Sequence, residues 1–247
     1  MPTKFQCCTE APGRVHSPVP PLTQYASPDL IDAIAHHGHD PADDPAWANS
    51  GAPTQQEYAR WAPHLCGLVC MQMALLHRDW ETPTLWSLRE GAARAGAYEV
   101  TDGRIKGLIY APFVEYAALA YRMPAAVHPT LSMSALMELC ETGRMVMASV
   151  SKDIRTPNLT PSRKGGHLVL VRGICDERVY YNNPSGHSAQ ARKAVLPLDT
   201  FERFFGGRGV SLDTRSLGPS TPPASTATGT SGTVVRGARP GGGQLCP

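Results

Sequence analysis

The stretch from Pro63 to Leu76 reads PHLCGLVCMQMALL, and the fold of the whole chain turns on how it is read. After Gly67 it contains no further Gly or Pro, and Leu, Met and Ala dominate as far as His77, so a helix is expected from Cys66 onward. Cys66 then stands at the first helical position. There the unpaired N–H groups and the helix dipole favour a thiolate over a thiol. The backbone N–H of Cys66 is placed to face a developing oxyanion, and Gly67 lets another backbone or a substrate come close. Cys70, four residues on along the same face, reads as core. A buried small hydrophobe is the competing account of Cys66 itself, so further signals have to be sought outward from this helix.

The second signal is GGHLVLVRG, from Gly165 to Gly173. His167 opens an apolar strand just after two glycines, where a side chain is set for exposure at a strand mouth and not for burial within it. The third is YYNNPSG, from Tyr180 to Gly186. Asp176 and Glu177 form a short turn between two strands, so a hairpin is expected. Its antiparallel pairing brings Asn183 beside His167. A catalytic imidazole needs an acceptor for the proton on its other nitrogen, and Asn183 can be that acceptor. Asn182, on the opposite face of an extended strand, is expected to matter little. Each signal has a bland account, a plain Asn–Pro turn in the last case. Cys, His and Asn in this order, on a helix followed by a hairpin, are far more specific than any one alone.

Further out, Pro28–Ile34, Thr82–Gly96 (with Thr82 as cap and Pro83 at the first helical position), Pro112–Arg122 and Ser132–Glu141 read as helical. Met145–Val150, His167–Ile174 and Arg178–Asn182 read as strands. A short helix from Asp199 to Phe205, stopped by Gly206 and Gly207, precedes a last strand at Arg208–Leu212. Helices first and antiparallel strands later give an α+β class. Residues 1–24 are polar and Pro-rich, and residues 215–247 are rich in Ser, Thr, Pro and Gly. Both segments are expected to be disordered around a domain spanning 25–214.

Composition narrows the function. The chain has 247 residues, 42% of them apolar and 18% charged, with a formal net charge of +2. That balance calls for neither nucleic acid nor an acidic membrane surface. No apolar run reaches the ~18 residues of a membrane span. The N-terminus lacks a secretory pattern. The seven Cys show no paired framework, so a reducing, cytoplasmic setting is expected.

The motifs resemble those of the papain-like cysteine peptidases of the bacteriocin-processing, double-glycine type, especially their stand-alone bacterial relatives. The matching pieces are Cys66–Gly67 opening a helix, Gly166–His167 opening a strand, and Asn183–Pro184 after the next strand, over about residues 58–210. The resemblance implies a papain-like fold with Cys66 as nucleophile, His167 as base and Asn183 as the orienting residue. It implies a peptide or peptide-like substrate and no cofactor. Such peptidases carry a Gln about six residues before the Cys as half of the oxyanion hole. Arg60 stands there, with Gln55 and Gln56 further back, and each is a candidate replacement.

Other features fit simpler accounts. The run HHGHD, His36 to Asp40, contains metal-ligating types, but its spacing fits no zinc motif and it reads as a polar loop with no metal. Trp47, Tyr58, Trp61 and Trp80 read first as core and second as a substrate-lining wall. Three functions remain open: hydrolysis of a peptide or amide bond through a thioester, acyl transfer to an amine through the same intermediate, and peptide binding without chemistry.

Overall fold

A computed structural model describes residues 19–79 and 81–215 of the chain. The disorder expected of residues 1–18 and 216–247, and the place of Trp80, lie outside the described residues. A 3-10 turn at Pro28–Leu30 leads into helix α1 (Ile31–His36). Helix α2 (Gln55–Trp61) follows, opened by Thr54, whose side chain accepts from Glu57 N at 3.1 Å. Helix α3 (Cys66–Asp79) is buried over Gly67–Met71 and Met73–Leu75. Its apolar residues run all round it, as a central helix requires. Helix α4 (Leu85–Arg94) is capped by Thr84 and not by Thr82, because Ser87 N reaches Thr84 Oγ1 at 3.2 Å. The small hairpin of β1 (Val100–Thr101) and β2 (Arg104–Ile105) turns through Asp102 and Gly103, both at positive φ. An Asp–Gly pair suits such a turn.

Helix α5 (Tyr110–Tyr121), strand β3 (Ala125–His128) and helix α6 (Met133–Glu141) come next. The sheet then takes over with β4 (Met145–Ser151), β5 (Gly166–Cys175) and β6 (Arg178–Asn182). The short α7 (Ala189–Arg192), β7 (Lys193–Pro197), α8 (Leu198–Phe204) and β8 (Phe205–Leu212) complete it. The sheet order is β3-β8-β4-β5-β6-β7, and every pair is antiparallel.

Alternation along the central strands divides the core. Met145 and Met147 of β4, with Leu168 and Leu170 of β5, pack on the face that carries α3. Val146, Ala148, Val150, Val169 and Val171 pack on the other face with α6 and α8 residues. Both faces are covered, so the strands are apolar without a break over Met145–Ala148 and Leu168–Val171, where a half-exposed strand would alternate with polar residues. The class is α+β, with a helical half that carries Cys66 at a helix start packed on an antiparallel sheet, as the sequence predicts.

Three boundaries differ from the sequence expectation. Residues 19–24 are packed: Val19 and Gln24 are buried, and Gln24 N bonds to Pro184 O at 2.9 Å. Proline-rich chain is held here by its contacts with the sheet, without regular structure of its own. Arg215, assigned to the tail, is fastened to Asp213 through Nε at 2.8 Å. Gly206 and Gly207 do not stop a helix. They lie inside β8, where a Cβ on Gly206 would meet Ser149 O at 3.2 Å and one on Gly209 would meet Met147 O at 2.5 Å. Glycine lets β8 run this close to β4 beside the register shift between Ala148 and Val150.

Candidate active site

Cys66 begins α3 and is half-buried. Val69 N donates to Leu65 O at 3.0 Å, making the first bond of the helix that reaches back across its start. The N–H groups of the preceding turn belong to Cys66, Gly67 and Leu68, at the positive end of the dipole. Gly67 is needed for packing as well: a Cβ there would lie 2.6 Å from Leu108 Cδ2 and 3.0 Å from Leu168 Cδ1.

His167 lies in the first turn of pairing of β5 with β4, opposite Val150, and follows Gly166 at φ +95. Asn183 follows the last residue of β6, and its N–H bonds to Arg192 O at 2.8 Å. The hairpin turn at Asp176–Glu177 has both residues at positive φ, the geometry of a two-residue type I′ turn. Its register, broken once between Val171 and Gly173, brings Asn183 to His167. His167 Nε2 is 2.8 Å from Asn183 Oδ1.

The tautomer follows from the surrounding donors. Ser185 N–H donates to Asn183 Oδ1 at 3.0 Å, so that atom is an acceptor and the amide orientation is fixed. Arg155 Nε donates to Ser185 Oγ at 2.8 Å. Ser185 Oγ in turn lies 3.2 Å from Asn183 Oδ1 and 3.0 Å from His167 Nε2. A bare Nε2 lone pair facing an acceptor oxygen would be repelled, so Nε2 carries the proton and Nδ1 keeps its lone pair.

Cys66 and His167 line the same cleft, which has a volume of about 670 Å³. Ile105 and Leu108 supply apolar wall, Lys152 and Arg208 are the cations on it, His64 adds a second imidazole, and among the described residues no carboxylate lines it. Burial pushes the Cys66 thiol up, against the pull of the backbone N–H groups of Leu168 and Gly67 and of the charges on Lys152 and Arg155. The thiolate expected from the helix terminus is therefore outweighed by desolvation in the resting site. Burial also lowers His167, to about 3, aided by the Arg155 charge and opposed by the Asn183 hydrogen bond. Both shifts favour a neutral thiol beside a neutral imidazole.

The sequence-predicted trio is thus brought together as far as His167 and Asn183 touch and Cys66 lines the cleft that His167 lines. The three oxyanion candidates are not brought in. Arg60 is exposed and faces Glu57 at 3.5 Å. Gln55 Nε2 bonds to Ala42 O, and Gln56 is exposed. Tyr58 and Trp61 are core: Tyr58 donates to Asp44 at 2.6 Å, and Trp61 stacks under Arg89 at 3.7 Å. Trp47 is partly buried against the same core.

Four residues escaped sequence reasoning. Lys152 and Arg155 sit on a 3-10 turn (Lys152–Arg155) after β4, capped by Ser151 through Asp153 N at 3.2 Å. The Ser-x-Asp spacing signals that turn but not its position. Ser185 lies within the YYNNPSG stretch, two residues beyond Asn183. Gln24 is buried, and its Nε2 donates to Ala62 O at 2.9 Å, close in sequence to Cys66. Its signal was hidden by the Pro-rich composition around it.

No family model and no curated protein matches the chain. Among solved structures, a double-glycine-motif protease from an AMS/PCAT transporter, in complex with a leader peptide, is similar at 16% identity with a TM-score of 0.40; the match covers 60% of this chain and 82% of that one. A candidate C39-like peptidase from Bacillus anthracis is similar at 15% identity and TM-score 0.45, covering 62% and 90%. The peptidase domain of Streptococcus ComA, a bifunctional ABC transporter of a quorum-sensing pathway, is similar at 13% identity and TM-score 0.42, covering 60% and 90%. No described helix is long and apolar enough to cross a membrane.

Proposed function

We propose that this chain is a cysteine-nucleophile enzyme that cuts a peptide or amide bond through a thioester acyl-enzyme. Cys66 is the nucleophile, His167 the base and Asn183 the residue that orients the imidazole. The observation that carries this reading is the His167 Nε2–Asn183 Oδ1 hydrogen bond at 2.8 Å, in a cleft that Cys66 also lines. It leaves Nδ1 as the free base nitrogen, and a structural Asn–His pair has no need of a thiol in the same cleft.

With both partners neutral at rest, the proton of Cys66 passes to His167 Nδ1 as sulfur attacks the carbonyl carbon. The new oxyanion is met by the Cys66 N–H at the helix start. Lys152 and Arg155, which already pull the thiol pKa down, stabilise negative charge on sulfur as it develops. The imidazolium then gives its proton to the departing amine, and the C–N bond breaks. Water attacks the thioester with His167 again as base, and releases the acid and the thiol. An amine in place of water at that step makes the same site an acyltransferase. Lys152 and Arg208 on the cleft support a substrate with carbonyl-rich or acidic surroundings at the scissile bond.

The test is labelling with a peptidyl epoxide followed by intact mass and peptide mapping. One adduct on Cys66 is expected, lost in His167→Ala and absent from Cys70 and Cys140, the other free cysteines among the described residues. Equal labelling of Cys66 and Cys70 removes the basis for a catalytic thiol and leaves peptide binding without chemistry. Acid against amide products, read by mass with an added amine, separates hydrolysis from transfer.

A further inference from the structure

Away from the cleft, α1 meets the loop that follows Asn183. Asp32 and His36 are four residues apart on α1 and so share one face of it. His187 comes from the loop beyond Ser185 and Gly186. One carboxylate oxygen of Asp32 and one ring nitrogen each of His36 and His187 lie within 4.8 Å of one another. The His36 and His187 rings meet edge to face, with centroids 6.2 Å apart.

A second observation points to a ligand. Nδ1 of His187 is buried and has no hydrogen-bond partner. A buried ring nitrogen left without a partner is costly, and a metal ion is one partner that removes the cost. The backbone that presents His187 is tightly held. Gly186 N donates to Asn183 O at 3.1 Å, and a Cβ on Gly186 would lie 2.5 Å from the backbone of Ala191 and Arg192. Ser188 caps α7 by accepting from Ala191 N at 3.1 Å. The backbone on both sides of His187 is therefore fixed.

We propose that Asp32, His36 and His187 form a binding site for a divalent transition metal, with zinc the best match. Two imidazoles and one carboxylate suit its borderline character and its tetrahedral preference, with water in the fourth position. His37, whose Nε2 is 3.4 Å from Asp32 Oδ2, competes for the carboxylate when protonated. The bound ion clips α1 to the loop bearing Asn183 and Ser185, and so braces the orienting residue of the catalytic pair from outside the cleft. The site needs no catalytic activity to be detected.

The experiment uses the full chain, without a polyhistidine tag and stripped with chelator. Zinc chloride is titrated by calorimetry and followed by thermal unfolding. One zinc per chain is expected, with a rise in Tm of about 5–10 °C at zinc ~100-fold above Kd. His36→Ala and His187→Ala are each expected to weaken binding by more than about tenfold, while Cys66→Ala leaves it unchanged. Cobalt in place of zinc is expected to give visible bands without thiolate charge transfer. Because His36 is exposed at a helix end, His36→Gln keeps the test alive if His187→Ala fails to fold. Absence of zinc binding overturns the proposal. So does binding abolished by Cys66→Ala and indifferent to the His36 variants, which assigns the metal to the active-site thiol.

Discussion

Asn183 Oδ1 accepts from both His167 and Ser185, so the side chain orients the imidazole while remaining neutral. Orientation matters most in the transition state. Asn183→Ala is therefore expected to lower kcat by at least about tenfold with KM nearly unchanged, and Asn183→Asp to retain more activity because the acceptor survives. Steady-state kinetics on the three proteins checks this. Asn182 differs from its sequence expectation. It does point away from His167, but it is fully buried, and its Nδ2 donates to Val19 O at 3.1 Å and lies 3.4 Å from Pro20 O. Asn182→Ala is expected to cost about 1–3 kcal/mol of stability, read by denaturant unfolding, with kcat preserved in the folded fraction. His167 makes a pH prediction. Its folded pKa, about 3, lies below the ordinary 6.5, so as pH falls below 6.5 the unfolded chain takes up the proton first. Stability is expected to fall by about 1.4 kcal/mol per pH unit from this one group, from about pH 6.5 down toward 3. His64 and His128 are also lowered by burial, so the difference between wild type and His167→Gln isolates the effect. Carboxylates held low, such as Asp44 behind its hydrogen bonds, contribute only at more acid pH. Cys66, His167 and Asn183, the residues proposed for catalysis, stand out in the sequence because each lies beside a local punctuation mark, a Gly or a Pro. Arg155 does not, because nothing local marks a long side chain that reaches Ser185 across thirty residues of chain.

Among the elements, the central helix and the β5–β6 hairpin were legible because burial on all sides leaves an unbroken apolar run, and a two-residue polar turn separates the strands. Strands β3 and β7 were missed. β3 has only four residues and β7 alternates exposed with half-buried positions, so neither carries a strong run, and both exist through pairing with β8 and β6. Helix α2 was missed although Thr54-x-x-Glu57 is a sound start signal, because seven residues give little periodicity. The glycines of β8 show the limit of punctuation read alone. Two in succession mark a helix stop as readily as a close strand approach, and only the distance to β4 decides. Gly209→Ala is expected to destabilise by at least about 1–3 kcal/mol, because Met147 O is a backbone atom and cannot step aside as a side-chain tip would. Gly67→Ala meets side-chain tips, those of Leu108, Leu168 and Met147. It is expected to disturb the cleft, seen as raised KM, with a smaller loss of stability. Thermal unfolding of both variants beside the kinetics of the second separates the two cases.

At the scale of the domain, the helical half carries the thiol and the sheet carries the imidazole and its acceptor, so the proposed catalysis depends on how firmly the halves are joined. Residues 19–24 strengthen that join, beside the packing of β4 and β5 on α3. Val19 O and Pro20 O lie against Asn182 on β6, Gln24 N bonds to Pro184 O, and Gln24 Nε2 reaches Ala62 O just ahead of the nucleophile helix. Gln24 thus bonds on one side to the residue after Asn183 and on the other to the turn that leads into Cys66. Its side-chain amide has a second N–H besides the one given to Ala62. The strap was illegible in the sequence because it has no period and owes its order entirely to partners far along the chain. Val19→Asp, which buries a charge at a position 1% exposed, is expected to cost about 3 kcal/mol or more and to lower Tm by roughly 6–12 °C. Gln24→Ala tests the join itself. It removes one bond to Ala62 but leaves the backbone bond to Pro184, so its cost in stability is expected to stay near 1 kcal/mol. Turnover is expected to fall further than that, by about tenfold, because a small shift between Cys66 and His167 acts directly on the transition state. Gln24→Glu keeps the size but cannot donate to Ala62, and is expected to behave like Ala in turnover. Unfolding curves and kcat measured on the same preparations decide the matter: a loss of kcat no larger than the loss of folded protein reduces the strap to a packing element.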